Sequence, residues 1–212
     1  MPTVTVRRLA DSCVIVDDGN HAALIDPGVH TWRHPDFSID DIVWLDRILI
    51  THAHADHCHP EFVASLAERF PDVPIQTNAA VGAMLSAHGL AVTVENGSWI
   101  EATEAPHEPT PLGEGPPNTA FHVGGWFTHP GDSRRLHRTA PVLALPMMPP
   151  WGSMTDAIAF ANRLGPRWVV PIHDWALGDA GRAFVDDVAP SALGPNVTYL
   201  GLGHFESARL EL

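Results

Sequence analysis

Four side chains within six residues could together hold metal ions: His52, His54, Asp56 and His57, in the string Thr51-His52-Ala53-His54-Ala55-Asp56-His57. Extended backbone puts alternate side chains on one side, so His52 and His54 leave a strand end together and can grip one ion. Asp56 and His57 follow where the chain turns, which lets them face a second ion close by. A structural zinc would need four closed protein ligands, usually with cysteine among them, and Cys58 is the only nearby thiol. Imidazoles with a carboxylate suit an open centre that activates water for hydrolysis.

Such a string needs elements to hold it. Arg47-Ile48-Leu49-Ile50 reads as a buried strand running into the cluster, and Pro60-Glu61 opens a helix with Phe62, Leu66 and Phe70 at helical spacing. The cluster therefore lies between the C-terminal end of a strand and the start of a helix. Before it, strands are expected at residues 3–8, 13–17 and 21–26, with Asp18-Gly19-Asn20 as a hairpin turn and Pro27-Gly28 ending the third. After it come strands near 74–77, 91–94, 98–103, 119–123, 125–128, 141–145 and 168–171, and two more near 196–210. Helices are expected near 79–88, 154–164 and 180–189, and the Pro/Gly-rich stretch 106–117 reads as an irregular loop. Strand-rich halves, each followed by helices, predict two packed sheets with helices outside.

The bulk properties narrow the function. A chain of 212 residues, 45% apolar and 17% charged, fits one well-cored domain spanning 1–212. All 12 basic residues are arginine and the net charge is -13, so no basic stripe exists for nucleic acid. No apolar run is long enough to span a bilayer, and the first residues lack the apolar segment of an export signal, which predicts a cytoplasmic protein with Cys13 and Cys58 as free thiols. A small-molecule substrate is the expected partner, and a homo-oligomer stays open.

With its H-x-H-x-D-H string after a buried strand, the chain resembles the metallo-β-lactamase superfamily over nearly its whole length. That resemblance implies an α+β, four-layer αββα sandwich, the metallo-β-lactamase fold. It also implies two divalent metal ions, zinc favoured and manganese or iron admitted. His52, His54 and His107 match the histidines of the first site, Asp56, His57 and His173 the ligands of the second, and Asp132 the aspartate bridging both. Asp26, ending Ala22-Ala23-Leu24-Ile25-Asp26, matches the aspartate that braces the histidine loop. Asp56 and Asp132 would be the catalytic carboxylates of a hydrolase that uses a bridging hydroxide on an ester, lactone or phosphoester.

Within the superfamily the chain is most similar to the ascorbate-6-phosphate lactonase-like group, a UPF-type set of metal-dependent hydrolases, through Ser12-Cys13-Val14-Ile15-Val16, Leu24-Ile25-Asp26-Pro27-Gly28 and Pro171-Ile172-His173. It departs from that group at Ala10-Asp11, where a glycine-histidine pair is usual. Two rivals are a mononuclear iron persulfide dioxygenase-like oxidoreductase and a non-catalytic metal-binding sensing module. Substrate contacts are expected from Trp32, Met147, Trp151 and Trp175 on the loops at the strand ends, lining an apolar cleft. Arg134, Arg135 and Arg138 could steer an anionic group, and His129 and His204 are candidates to protonate a leaving group.

Overall fold

A computed structural model describes residues 3–93 and 98–212. Two six-stranded sheets pack face to face. The first has the order β12-β1-β2-β3-β4-β5, where β1 is Thr3–Arg8, β2 Val14–Asp17, β3 Ala22–Ile25, β4 Arg47–Leu49, β5 Ile75–Gln76 and β12 Ser207–Glu211. The second has the order β11-β10-β9-β8-β7-β6, where β6 is Ile100–Glu104, β7 Thr119–Val123, β8 Phe127–His129, β9 Val142–Pro146, β10 Trp168–Ile172 and β11 Thr198–Tyr199.

Each sheet is mixed, and this decides where a site can form. β1, β2 and β3 pair antiparallel, whereas β3-β4-β5 and β8-β9-β10-β11 run parallel. Parallel strands need cover on both faces, and β9 and β10 are buried at every residue. Between the sheets lies one apolar core, with Val4, Val16, Ile25 and Leu49 from the first facing Phe121, Phe127, Val142 and Val170 from the second. On the outer face of the first sheet, Phe62, Val63 and Leu66 of α2 (Pro60–Arg69) and Val81 and Leu85 of α3 (Ala79–Ser86) cover Leu24 and Ile48. On the outer face of the second, α4 (Met154–Leu164) and α5 (Asp179–Ala192) cover Leu143, Leu145 and Val169. The result is the expected four-layer αββα sandwich.

The helix ends follow local chemistry. Ser153 and Asp156 form a reciprocal capping box at the start of α4, and Gly165, with φ 64°, closes it. α5 runs on to Ala192 through Pro190, past the expected end. The expected strand near 91–94 runs into residues outside those described; Thr93 bridges Gln76 in parallel. A short helix, α1 (Val29–Trp32), follows β3, and a 3-10 turn spans Ile39–Asp41, neither of them expected. Among the described residues no helix is long and apolar enough to cross a membrane.

Candidate metal centre

Ligands gather where parallel strands end. Asp26 follows β3, the string His52 to His57 follows β4, Asp132 follows β8 and His173 follows β10. His107 lies just beyond β6, in the irregular stretch before β7.

The string is held from behind. Asp26 accepts Thr51 N at 2.8 Å through Oδ1, and Thr51 Oγ1 at 2.8 Å and His57 Nδ1 at 2.6 Å through Oδ2. Thr51 Oγ1 in turn lies 3.0 Å from His52 Nδ1. These contacts fix two imidazoles so that each turns Nε2 outward. A Cβ on Gly28 would sit 1.7 Å from the Asp56 carbonyl oxygen, so the string packs directly on bare backbone. Asn118 fixes the opposite side, where its Oδ1 accepts Asp132 N at 3.1 Å.

Two groups result. Ligand atoms of His52, His54, His107 and Asp132 all lie within 4.8 Å of one another, and so do those of Asp56, His57 and His173. Asp132 faces both: Oδ2 lies 3.1 Å from His107 Nε2, and Oδ1 lies 2.6 Å from His173 Nε2 and 3.1 Å from His57 Nε2. All these residues are buried except His54 and Asp56, which are part-exposed and mark the mouth.

The donor set fits cations. His57 Nε2 and His173 Nε2 converge to 2.9 Å beside Asp132 Oδ1, a cluster of donor atoms that one shared hydrogen joins here and that a cation could join in its place. Buried His107 Nε2 has, among the described residues, no well-aligned hydrogen-bond partner and faces Asp132 Oδ2 at 3.1 Å. Burial opposes a proton on His57, yet Asp132 and Asp26 outweigh it and hold that imidazole well above its usual range. His173 is pushed up to about 9 against burial, by Asp132 and then Asp11. Burial drives His52 the other way, well below its usual range, and His57 adds to it. Asp132, despite burial, is held far below the carboxylate range by His173 and His57. The site thus concentrates carboxylate charge where a divalent ion would gain most from it.

Several expected roles change. Trp32, part-exposed, stacks on Phe62 with ring centroids 5.4 Å apart and packs against the α2 side of the core. Met147 is fully buried under α4 and α5 and has no surface for a substrate. His129 is fully buried against the Ser12 carbonyl, out of reach of a leaving group. The arginines are engaged: Arg134 donates to the carbonyls of Pro146 and Ser153, Arg135 lies 3.4 Å from Glu108 and Arg138 pairs with Glu101. Trp175 is 46% exposed and stacks on His30, and Trp151 stands at the centre itself, its indole Nε1 donating to Asp132 Oδ2 at 2.7 Å. Cys58 is buried in the apolar cluster under α2, which pushes its thiol up to about 12, and among the described residues it belongs to neither ligand group. Asn118 and Ser12 escaped sequence reasoning because only through-space contact marks them.

The family model for the beta-lactamase superfamily domain matches residues 5–173. The chain belongs to that family. Among similar proteins, Protein Rv0786c of Mycobacterium tuberculosis is 28% identical over 185 residues, covering 79% of this chain and 82% of that protein. UPF0173 protein PF0020 of Pyrococcus furiosus is 29% identical over 177 residues, covering 76% and 79%. In structure the chain is similar to Igni18, a metallo hydrolase of Ignicoccus hospitalis, with a TM-score of 0.76, 18% identity and 99% of each chain covered.

Proposed function

We propose that this protein is a two-metal hydrolase that cleaves an ester, lactone or phosphoester bond of a small organic substrate. The observation that carries the reading is Asp132, one carboxylate whose two oxygens face two separate imidazole groups. His52, His54 and His107 with Asp132 Oδ2 would hold one ion, and Asp56, His57 and His173 with Asp132 Oδ1 the other. The second group favours this over a one-ion oxidoreductase, and the complete donor set favours catalysis over sensing. When bound, such a pair acidifies water from about 16 toward about 7 and polarises the oxygen under attack.

The chain's own residues do the rest. Asp56, part-exposed and with Oδ2 3.7 Å from His57 Nε2, is placed to accept a hydrogen from the attacking water and aim it. Asp26 and Thr51 keep the imidazoles in the tautomer that leaves Nε2 free, and Trp151 steadies Asp132. Trp175, two residues past His173, is exposed and stacks on His30, an aromatic surface that suits an organic substrate. The imidazole-rich first group favours zinc, while the carboxylates of the second admit manganese or iron.

Metal analysis of protein purified without added metal, followed by chelation, reconstitution and a screen of esters, lactones and phosphodiesters, tests the reading. His52→Ala and Asp132→Ala are expected to lose bound metal and at least about 100-fold of hydrolysis. Unchanged metal content and turnover in both variants would overturn it.

A further inference from the structure

The turn between β1 and β2 reaches the second group with two residues that the proposed chemistry does not use. Cys13 N donates to the Ala10 carbonyl at 3.1 Å, closing a four-residue turn in which Asp11 takes left-handed backbone with φ 57°. Aspartate tolerates that conformation, and asparagine and glycine do so at least as well. The turn brings Ser12 Oγ to 3.3 Å from His57 Nε2 and 3.4 Å from His173 Nε2. Asp11 and Ser12 are both fully buried.

Two buried atoms there have no hydrogen-bond partner among the described residues, Asp11 Oδ1 and His173 Nδ1. They lie 3.8 Å apart. Their types are complementary, an acceptor and an imidazole nitrogen able to donate, and a small rotation of either side chain would join them. Leaving either group unmatched inside the protein is unfavourable, so the pair is disposed to close.

Three of the other imidazoles show what such a contact would do. His52 Nδ1 is met by Thr51 Oγ1, His57 Nδ1 by Asp26, and His107 Nδ1 by the Glu108 carbonyl. In each case the rear nitrogen is occupied and the other faces the centre. Among the described residues His173, on a strained backbone with φ 61°, has only Asp11 in that position.

We infer that Asp11 is a positioning residue for the second ion, accepting the Nδ1 hydrogen of His173 so that Nε2 is presented bare, as Asp26 does for His57. This rests on the reading of His173 as a ligand. Asp11 acts through His173 and is no ligand itself: among the described residues the second group gathers Asp56, His57 and His173 without it.

Zinc titration against a competing chelator, on wild type, Asp11→Gly and Asp11→Asn, tests the inference. Both substitutions suit the left-handed turn, so both proteins are expected to fold, with thermal unfolding as the check. Glycine removes the acceptor and is expected to weaken the second zinc about 10- to 100-fold while leaving the first within a few-fold. Asparagine keeps an acceptor oxygen in place and is expected to recover most of that loss. If Asp11 served only the turn, glycine would bind both ions as wild type does, and that result overturns the inference alone. A wild-type protein that binds no second zinc would instead remove the two-metal reading, and the inference with it.

Discussion

Asp132 is the residue on which both halves of the centre depend, and its surroundings can be probed without touching a ligand. Trp151 Nε1 donates to its Oδ2, and Trp151→Phe keeps an aromatic ring while deleting that donor. Losing one hydrogen bond to a charged acceptor is worth about 1 to 2 kcal/mol, so zinc affinity is expected to fall roughly tenfold by competition titration, with the fold intact. The sequence exposes these residues unevenly. His52 to His57 stand out because the signal is local, with spacing and residue type compressed into one string. His107, Asp132 and His173 are single residues in ordinary loops, and only their order beside a resemblance singles them out. Thr51, Asn118 and the Trp151 contact have no local signal, since each works through an atom supplied by a distant segment.

At the scale of elements, the strands leading to the string were legible because their burial follows residue type: β3 and β4 are short apolar runs bounded by turn residues. α1 was not, because four residues are too few to show periodicity. Nor does local pattern disclose that β12, at the end of the chain, pairs with β1. The junction after β3 carries more than a strand end. Gly28 lies against the Asp56 carbonyl so closely that a methyl group has no room, and Val29 N donates to Ala55 O at 2.8 Å. Gly28→Ala must therefore push the string away from its support. Overpacking of this kind costs about 1 to 3 kcal/mol, which denaturant unfolding would measure, and the displaced string should lose metal in parallel. A variant destabilised yet fully metal-loaded would show that the string tolerates the shift.

The whole molecule is two sheets, and the chain ties them at their shared end. Arg8, at the end of β1, pairs with Asp174, just past β10, both nearly fully buried. Burial alone would raise the Asp174 carboxyl, but a hydrogen bond from His204 and the Arg8 charge bring it down to about 2 from 3.8. At 3.5 Å the His204 contact is at the limit of hydrogen bonding, which leaves the closer guanidinium as the main holder. A carboxyl with a depressed folded pKa adds stability above its unfolded pKa and loses it as pH falls through the folded value. Here that is roughly 2 kcal/mol, present at pH 5 and fading between about 4 and 2. With chelator present throughout to remove any metal contribution, Asp174→Asn should be less stable than wild type at neutral pH, and the gap should narrow toward pH 2.

The proposed centre is the second tie between the sheets, with its own test. His52, His54, Asp56 and His57 come from the first sheet's side, whereas His107, Asp132 and His173 come from the second. An ion held by both would pin the two halves together, and it would bind the folded chain far better than the unfolded one, whose ligands are scattered over more than a hundred residues. By mass action each such site adds about 4 kcal/mol at a thousandfold excess over its dissociation constant. For a chain of this length one kcal/mol moves the melting temperature by about 2 to 4 °C, so one loaded site should raise it by roughly 8 to 16 °C. Thermal unfolding in chelator and in zinc measures the difference, and His52→Ala should shrink it. Equal melting temperatures in zinc and chelator would mean that no ion spans the sheets.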